Sequence, residues 1–443
     1  MVACEAETFH PLKMRFSPST VTRIGRWAAL VLPLALTHVR VAGEADLDLL
    51  AVLLLLHSSL IGRREGGWDW LREPWVVATF CWWGWQVLCT LWVSPGHGAL
   101  GQALLAIRFP LAAAALGCWL LRDAVWRRRV LWLTCACGVY IAVQMLVQAV
   151  FGRNLFGIPR FHDGTLTGPY EHPRAAAPLS RLILPLLMVG CAVAEKAQSR
   201  LMRTFGLCAA TILAVGIMVL AGQRMPLVLS LLGIGVCALL YRPMRPAALA
   251  AAAMLPVLVL VARVFSPGSF FHLVTLARQQ LTHFGQSPYG EIYTHAVVMA
   301  QAHPWIGQGY DAYRHFCSDP ATFHGLPGLS EAVPERGWLD LCVQHPHNHY
   351  LQALVNAGVP GLILFVLMIA TWLKAIWPGR DGHAIAIGLF AAVLIQEWPI
   401  ASTSDFLNLP LSGWGFLLLG LALAYRVLPI RNGFQAGGVR PIS

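Results

Sequence analysis

The stretch TFGLCAATILAVGIMVLAGQRMPLVLSLLGIGVCALLY, residues 204–241, decides the fold. Two apolar runs, 204–221 and 225–241, are separated only by Gly222, Gln223 and Arg224. Each run is long enough to cross a hydrocarbon core of roughly 30 Å as a helix, and runs of about 17–22 such residues recur along the chain. The 443 residues are 57% hydrophobic and only 12% charged. That composition excludes a soluble domain with a large core and predicts an all-α polytopic integral membrane protein.

Twelve spans are expected, at about 27–42, 45–61, 75–93, 102–121, 130–151, 175–194, 204–221, 225–241, 247–265, 350–373, 384–400 and 411–427. The first two are short and suit a hairpin. The first lacks a small-residue cleavage site and a second apolar run follows at once, so it does not read as a cleavable signal. Basic clusters sit at Lys13 to Arg26, Arg63 to Arg72, Arg122 to Arg129, Lys196 to Arg203, Arg242 and Arg245, Lys374 and Arg380, and Arg426 to Arg440. They fall after every second span and hold 21 of the 32 Lys and Arg residues, which predicts cytoplasmic tails at 1–26 and 428–443. The net charge of +11 is therefore a topology signal. No basic patch with interleaved aromatics suggests nucleic-acid binding.

The outside connections are then 94–101, 152–174, 222–224, 266–349 and 401–410. Nine spans lie within 27–265, three within 350–427, and the loop 266–349 between them is the one segment large enough for a small outer subdomain. Amphipathic patterns near 270–284 and 291–303 predict short helices in it, and loops of that length are usually functional. Cys317 and Cys342 both lie in this loop, and a disulfide between them is one open reading. Most of the other cysteines sit inside apolar runs as small hydrophobes.

The long loop ends in His345-Pro-His-Asn-His-Tyr350, just where an apolar run begins. The three histidines are open to two structural readings: polar residues at a helix start, or a metal site with Glu335 and Asp340 nearby. A third reading is chemical, because an imidazole there meets water near the headgroup plane.

The spacing is more particular than three histidines: His347-Asn348, nine residues, Gly358, then Val-Pro-Gly361. This resembles the motif of the O-antigen ligase and O-antigen polymerase superfamily of bacterial envelope proteins, which follows a large periplasmic loop. Thr167-Gly-Pro-Tyr-Glu-His-Pro173, Gly222-Gln-Arg224 and His303-Pro-Trp-Ile-Gly-Gln-Gly309-Tyr310 resemble further segments of that family. The first third of the chain matches in hydropathy alone. Two departures stand out. Arg174 occupies a position where the family often has Asn. Tyr289, Gly290 and Glu291 occupy a stretch where it often has an arginine.

The resemblance implies a GT-C-like glycosyltransferase in the inner membrane, with its active site facing the periplasm. The donor would be a glycan on undecaprenyl pyrophosphate and the acceptor a sugar hydroxyl of lipid A-core. In a polymerase of the same superfamily the acceptor would be another lipid-linked repeat. No metal, nucleotide or other cofactor is implied, and no P-loop or dinucleotide fingerprint is present.

His347 is the expected general base, its ordinary pKa near 6.5 being close to working pH. Asn348 would orient it or simply cap the helix. Arg224 is the first expected pyrophosphate ligand, with Arg278, Arg174 and Arg314 as further candidates and Arg181 on the same face. His172, His303 and Tyr350 are candidate substrate contacts, and Asp405 lies on the correct face. A transporter or flippase is the reading from another class. It would need charges at mid-membrane and matching broken helices in two halves, whereas here most charges lie at span ends and no halves repeat.

Overall fold

The computed structural model describes residues 17–426 apart from 94–97, 196–198, 323, 331–341, 343–344, 380–381 and 402–404. The tail residues 1–16 and 427–443, and the expected neighbours Glu335 and Asp340, lie outside the described residues. Among the described residues all extended regular structure is helical; β-pairing is confined to two isolated bridges, Arg153 with Pro159 and Leu326 with Ser330.

The helices are α1 Pro18–His38, α2 Arg40–Ile61, α3 Pro74–Val93, α4 Ala99–Arg122, α5 Ala124–Phe151, α6 Ala176–Ala194, α7 Arg200–Ala221, α8 Arg224–Leu240 and α9 Arg245–Phe265. Within the long loop come a short helical run over 267–282, α10 Pro288–Ala302 and α11 Ala312–Phe316. The chain then continues through α12 His349–Ala375, α13 Ala384–Gln396 and α14 Leu411–Tyr425. Local chemistry sets several boundaries. Ser17, Asp123 and Ser199 cap α1, α5 and α7 through side-chain oxygens, and left-handed Gly152 and Gly222 end α5 and α7.

Among the described residues seven helices are long and apolar enough to cross a membrane: α3 to α7, α9 with its leading turn, and α12. The shorter apolar helices α8, α13 and α14 occupy three more of the expected spans. The first two expected spans fall on α1 and α2, which carry Arg23 and Arg26, and Arg40, Glu44, Asp46 and Asp48 respectively. The protein is a multi-pass, all-α membrane protein.

α6 forms the centre, packed between α5, α8 and α13. Its closest approaches use glycine on the partner: a Cβ at Gly388 would come within 2.9 Å of Met188, and one at Gly233 would collide with Leu184. At the periphery α9 buries only Ala247, Ala251 and Ala262 and leaves Leu249, Leu260 and Val264 exposed, as a lipid-facing helix does.

The feature that ties the long loop to the helices is a break in α12. Ala357 and Gly358 leave helical geometry, Gly358 at φ 67°. The freed backbone groups bond to the loop segment 304–309. Gln308 N donates to Val355 O at 2.9 Å, Gly309 N to Asn356 O at 2.9 Å, and Val359 N to Pro304 O at 2.7 Å. Trp85 Nε1 of α3 donates to Ala357 O at 2.9 Å. Broken helix at membrane depth is tolerated where protein satisfies the backbone in this way. The His303–Tyr310 segment and the glycine end of the His347 motif are thus one interlocked unit. Behind it, Ile292, Ala296, Met299, Tyr313, Val355 and Cys317 form a small second core, closed by a Cys317–Cys342 disulfide with Cα–Cα 5.4 Å.

A second interlocked unit gathers the remaining family-like segments. Gln148 of α5 bonds the backbone N–H of Thr167 at 2.8 Å and the Thr167 hydroxyl at 2.8 Å. Gln223 Nε2 donates to Pro173 O at 2.6 Å, joining 167–173 to the turn 222–224. That turn packs on the start of the long loop, where Ser269 Oγ donates to Leu220 O at 2.7 Å.

Candidate functional site

His347 lies one residue outside the N-cap of α12, at φ 51°. Only it and Asp311 adopt positive φ among the described non-glycine residues. Such backbone costs roughly 1–3 kcal/mol and persists only where flanking structure enforces it. The flanks do so here. Asn348 Oδ1 accepts from Tyr350 N at 2.9 Å and Leu351 N at 3.1 Å, while its Nδ2 donates to Pro399 O at 2.8 Å. Asn348 is thus a helix cap with both ends of its amide engaged by backbone.

The His347 ring meets Tyr289 of α10 edge-on at 5.9 Å and His345 at 4.4 Å. The third histidine turns elsewhere: His349 is buried with Nδ1 2.9 Å from Glu397 Oε2. The run therefore does not converge as a ligand set, and among the described residues no group of three or more His, Cys, Asp or Glu gathers as a metal site would.

Burial, reinforced by His347, pushes His345 down to about 4. Asp405, between α13 and α14, opposes that shift and also acts on Asp311, which burial together with Asp405 pushes up to about 7 against the pull of Arg314. A histidine with a depressed folded-state pKa binds protons less readily folded than unfolded. Its contribution to stability is whole above about 6.5 and is lost as pH falls towards about 4. The fall in melting temperature between pH 7 and pH 5 should therefore be smaller in His345→Gln than in the wild type, by roughly 2 °C or more, in a detergent-solubilised melt.

Arg224 opens α8 after the turn 222–224, half-buried, with Nη1 on the Gln280 side-chain oxygen. Gln280 lies in the helical run 267–282, and Tyr289 of the next helix, α10, meets His347, so one loop touches both principal candidates. Arg278 is exposed on that same run. Arg314 is held by Asp311, Nε to Oδ2 3.0 Å. Arg174 is exposed ahead of α6. Arg181, about two turns further, is 1% exposed and bonds Gln396, Ala177 and Ser180, which places it inside the bundle.

His172 is exposed beside Phe161, ring centroids 5.9 Å apart. His303 is exposed at the end of α10, its backbone carbonyl bonded by Gly307 N at 3.0 Å. Tyr350 directs its hydroxyl to Glu397 O at 2.7 Å. Of the expected residues, then, Asn348 adjoins His347 directly, Arg224 bonds the same long loop that meets His347, and Tyr350 belongs to the scaffold beneath it.

A protein-family model described as O-antigen ligase matches residues 209–366. The match takes in the Arg224 turn, the long loop and the His347 motif. Over that stretch the chain is similar to O-antigen ligases. A protein of Pseudomonas aeruginosa named O-antigen ligase is 28% identical over 156 residues, covering 35% of this chain and 34% of that protein. The shared part thus spans about a third of that relative's length.

Three site neighbours have no role assigned by the sequence pattern. Tyr289 occupies the stretch where the superfamily often carries an arginine, and that departure was itself a signal. His345 sat within the marked run but outside the motif spacing. Glu397, the partner of His349, had no signal beyond being one carboxylate at the end of an apolar run.

Proposed function

We propose that this protein transfers a glycan from undecaprenyl pyrophosphate to a sugar hydroxyl of lipid A-core at the periplasmic face of the inner membrane. The observation that supports this reading is His347, held in a strained conformation at the head of a broken helix, with the long loop that meets it also bonding Arg224. In the proposed step His347 takes the proton of the acceptor hydroxyl and that oxygen attacks the anomeric carbon. The bond from this carbon to the pyrophosphate oxygen breaks, undecaprenyl pyrophosphate leaves, and the proton passes from His347 to water. The helix N-terminus behind His347 disfavours the imidazolium and so favours a neutral base.

Arg224 is the proposed ligand of the pyrophosphate, with Arg278, Arg174 and Arg314 as secondary candidates. Its present partner is the neutral Gln280 amide, which an incoming phosphate oxygen would displace in favour of a charge-assisted bond. Arg224→Ala should raise the donor KM by about tenfold or more, and Arg224→Lys should fall between, because a point charge replaces a fork. Equal kinetics in all three forms would remove Arg224 from the donor site.

Polymerisation of lipid-linked repeats is the second reading, favoured by the same motif. The test is reconstitution in vesicles with purified undecaprenyl pyrophosphate glycan, lipid A-core in one tube and lipid-linked repeat alone in another. Transfer in the first tube supports the ligase. Chain extension confined to the second supports the polymerase.

A further inference from the structure

Residues Gln396, Glu397, Trp398 and Pro399, at the end of α13, grip the first turn of α12. Asn348 Nδ2 donates to Pro399 O at 2.8 Å, His349 Nδ1 lies 2.9 Å from Glu397 Oε2, and the Tyr350 hydroxyl donates to Glu397 O at 2.7 Å. From the other side Arg181 Nε of α6 donates to Gln396 Oε1 at 2.8 Å. His349, Glu397 and Arg181 are 4%, 6% and 1% exposed. Arg181 Nη2 has no hydrogen-bond partner among the described residues, and Glu397 lies within its electrostatic reach.

This buried polar set is not needed to make α12 a helix. Asn348 Oδ1 already caps it, and the residues that follow are largely apolar. Nor is it an economical source of stability, since a well-packed apolar pair often serves a buried site equally well. What the set determines is where the first turn of α12 sits and how it is rotated against α13. His347 is two residues before His349, so its ring inherits that placement.

We propose that Glu397 is a positioning residue for His347: its carboxylate, fixed on His349, holds the head of α12 so that the His347 ring faces the reacting hydroxyl. The proposal rests on the reading of His347 as general base. Glu397 itself is buried beneath the turn and touches no substrate. Arg181 supplies the neighbouring positive charge, which accounts for a fully buried arginine inside an apolar bundle.

A misplacement of about 1 Å at a reacting group costs on the order of 10²-fold in rate. Glu397→Ala should therefore lower kcat by about 10- to 100-fold while the KM values for donor and acceptor stay within about twofold. Glu397→Gln keeps an oxygen of the same reach for His349 and should restore kcat to within about threefold of wild type. Glu397→Asp keeps the carboxylate but withdraws it by one methylene, and should fall with the alanine variant.

The assay is vesicle-reconstituted transfer by the full chain, with folded protein quantified by size-exclusion chromatography and His347→Ala run in parallel. A kcat loss at constant KM, rescued by Gln and not by Asp, supports the proposal. If His347→Ala is inactive while Glu397→Ala and Glu397→Asp keep wild-type kcat, the positioning role is overturned and the base assignment stands. If His347→Ala is active, both fall. If the loss is carried by KM, or no Glu397 variant yields folded protein, Glu397 is a substrate or stability residue and the proposal is overturned.

Discussion

Replacement of His347 by alanine should abolish glycan transfer, with at least about a 10²–10⁴-fold loss in rate, while the protein still accumulates in the membrane. The informative companion is His347→Gly. His347 sits at φ 51°, where glycine is at ease and a residue with a β-carbon is not. The glycine variant should therefore fold at least as well as wild type, with stability raised by up to about 1 kcal/mol, and be as inactive as the alanine variant. Loss of rate with retained or improved folding would separate the imidazole's chemistry from any structural duty. A thermal melt and a transfer assay on the same preparations make the comparison. Transfer by either variant at the wild-type rate would remove His347 as base.

The second large effect is expected at the break in α12. A Cβ at Gly358 would lie 2.6 Å from Pro304 O, and one at Gly307 would collide with the backbone of Asn356 and Ala357. Both glycines have positive φ, 67° and 64°. The obstructing atoms are backbone, so neither contact can be relieved by turning a side chain. Gly358→Ala or Gly307→Ala should cost about 3 kcal/mol or more, from strain and from losing the three hydrogen bonds between 304–309 and 355–359. The expected readout is a sharp fall in folded, monodisperse protein after detergent extraction. Alanine at Gly84 is the contrasting control, because a Cβ there meets nothing within 4 Å. Normal yield of both variants would contradict the interlock.

These effects show which parts of the molecule were open to inspection from residues alone. Helices were legible because lipid demands long apolar runs, and α3 to α7 and α12 sit where those runs predict. The His347 motif was legible as a spacing, but the reason for its glycine was not. Gly358 is needed because a loop more than forty residues upstream presents Pro304 to it, and backbone-to-backbone pairing leaves no side-chain signature. Asn348 was readable as a cap from type and place, and the cap is what its amide makes. Arg181 read as an outer-face cation because its depth within a span depends on how α6 meets α13. Glu397 was silent because its partner is 48 residues away and only folding joins them. Tyr289 was visible as a departure from a pattern, without any indication that its ring would face His347.

The measurement that bears most directly on the central claim is transfer by purified protein in vesicles, with undecaprenyl pyrophosphate glycan as the sole donor, lipid A-core as acceptor, and excess chelator present. The account predicts glycosylated lipid A-core and free undecaprenyl pyrophosphate in equal amounts from the wild type, and neither from His347→Gly. Product that required an added nucleotide sugar or divalent ion, or that formed undiminished in His347→Gly, would contradict it.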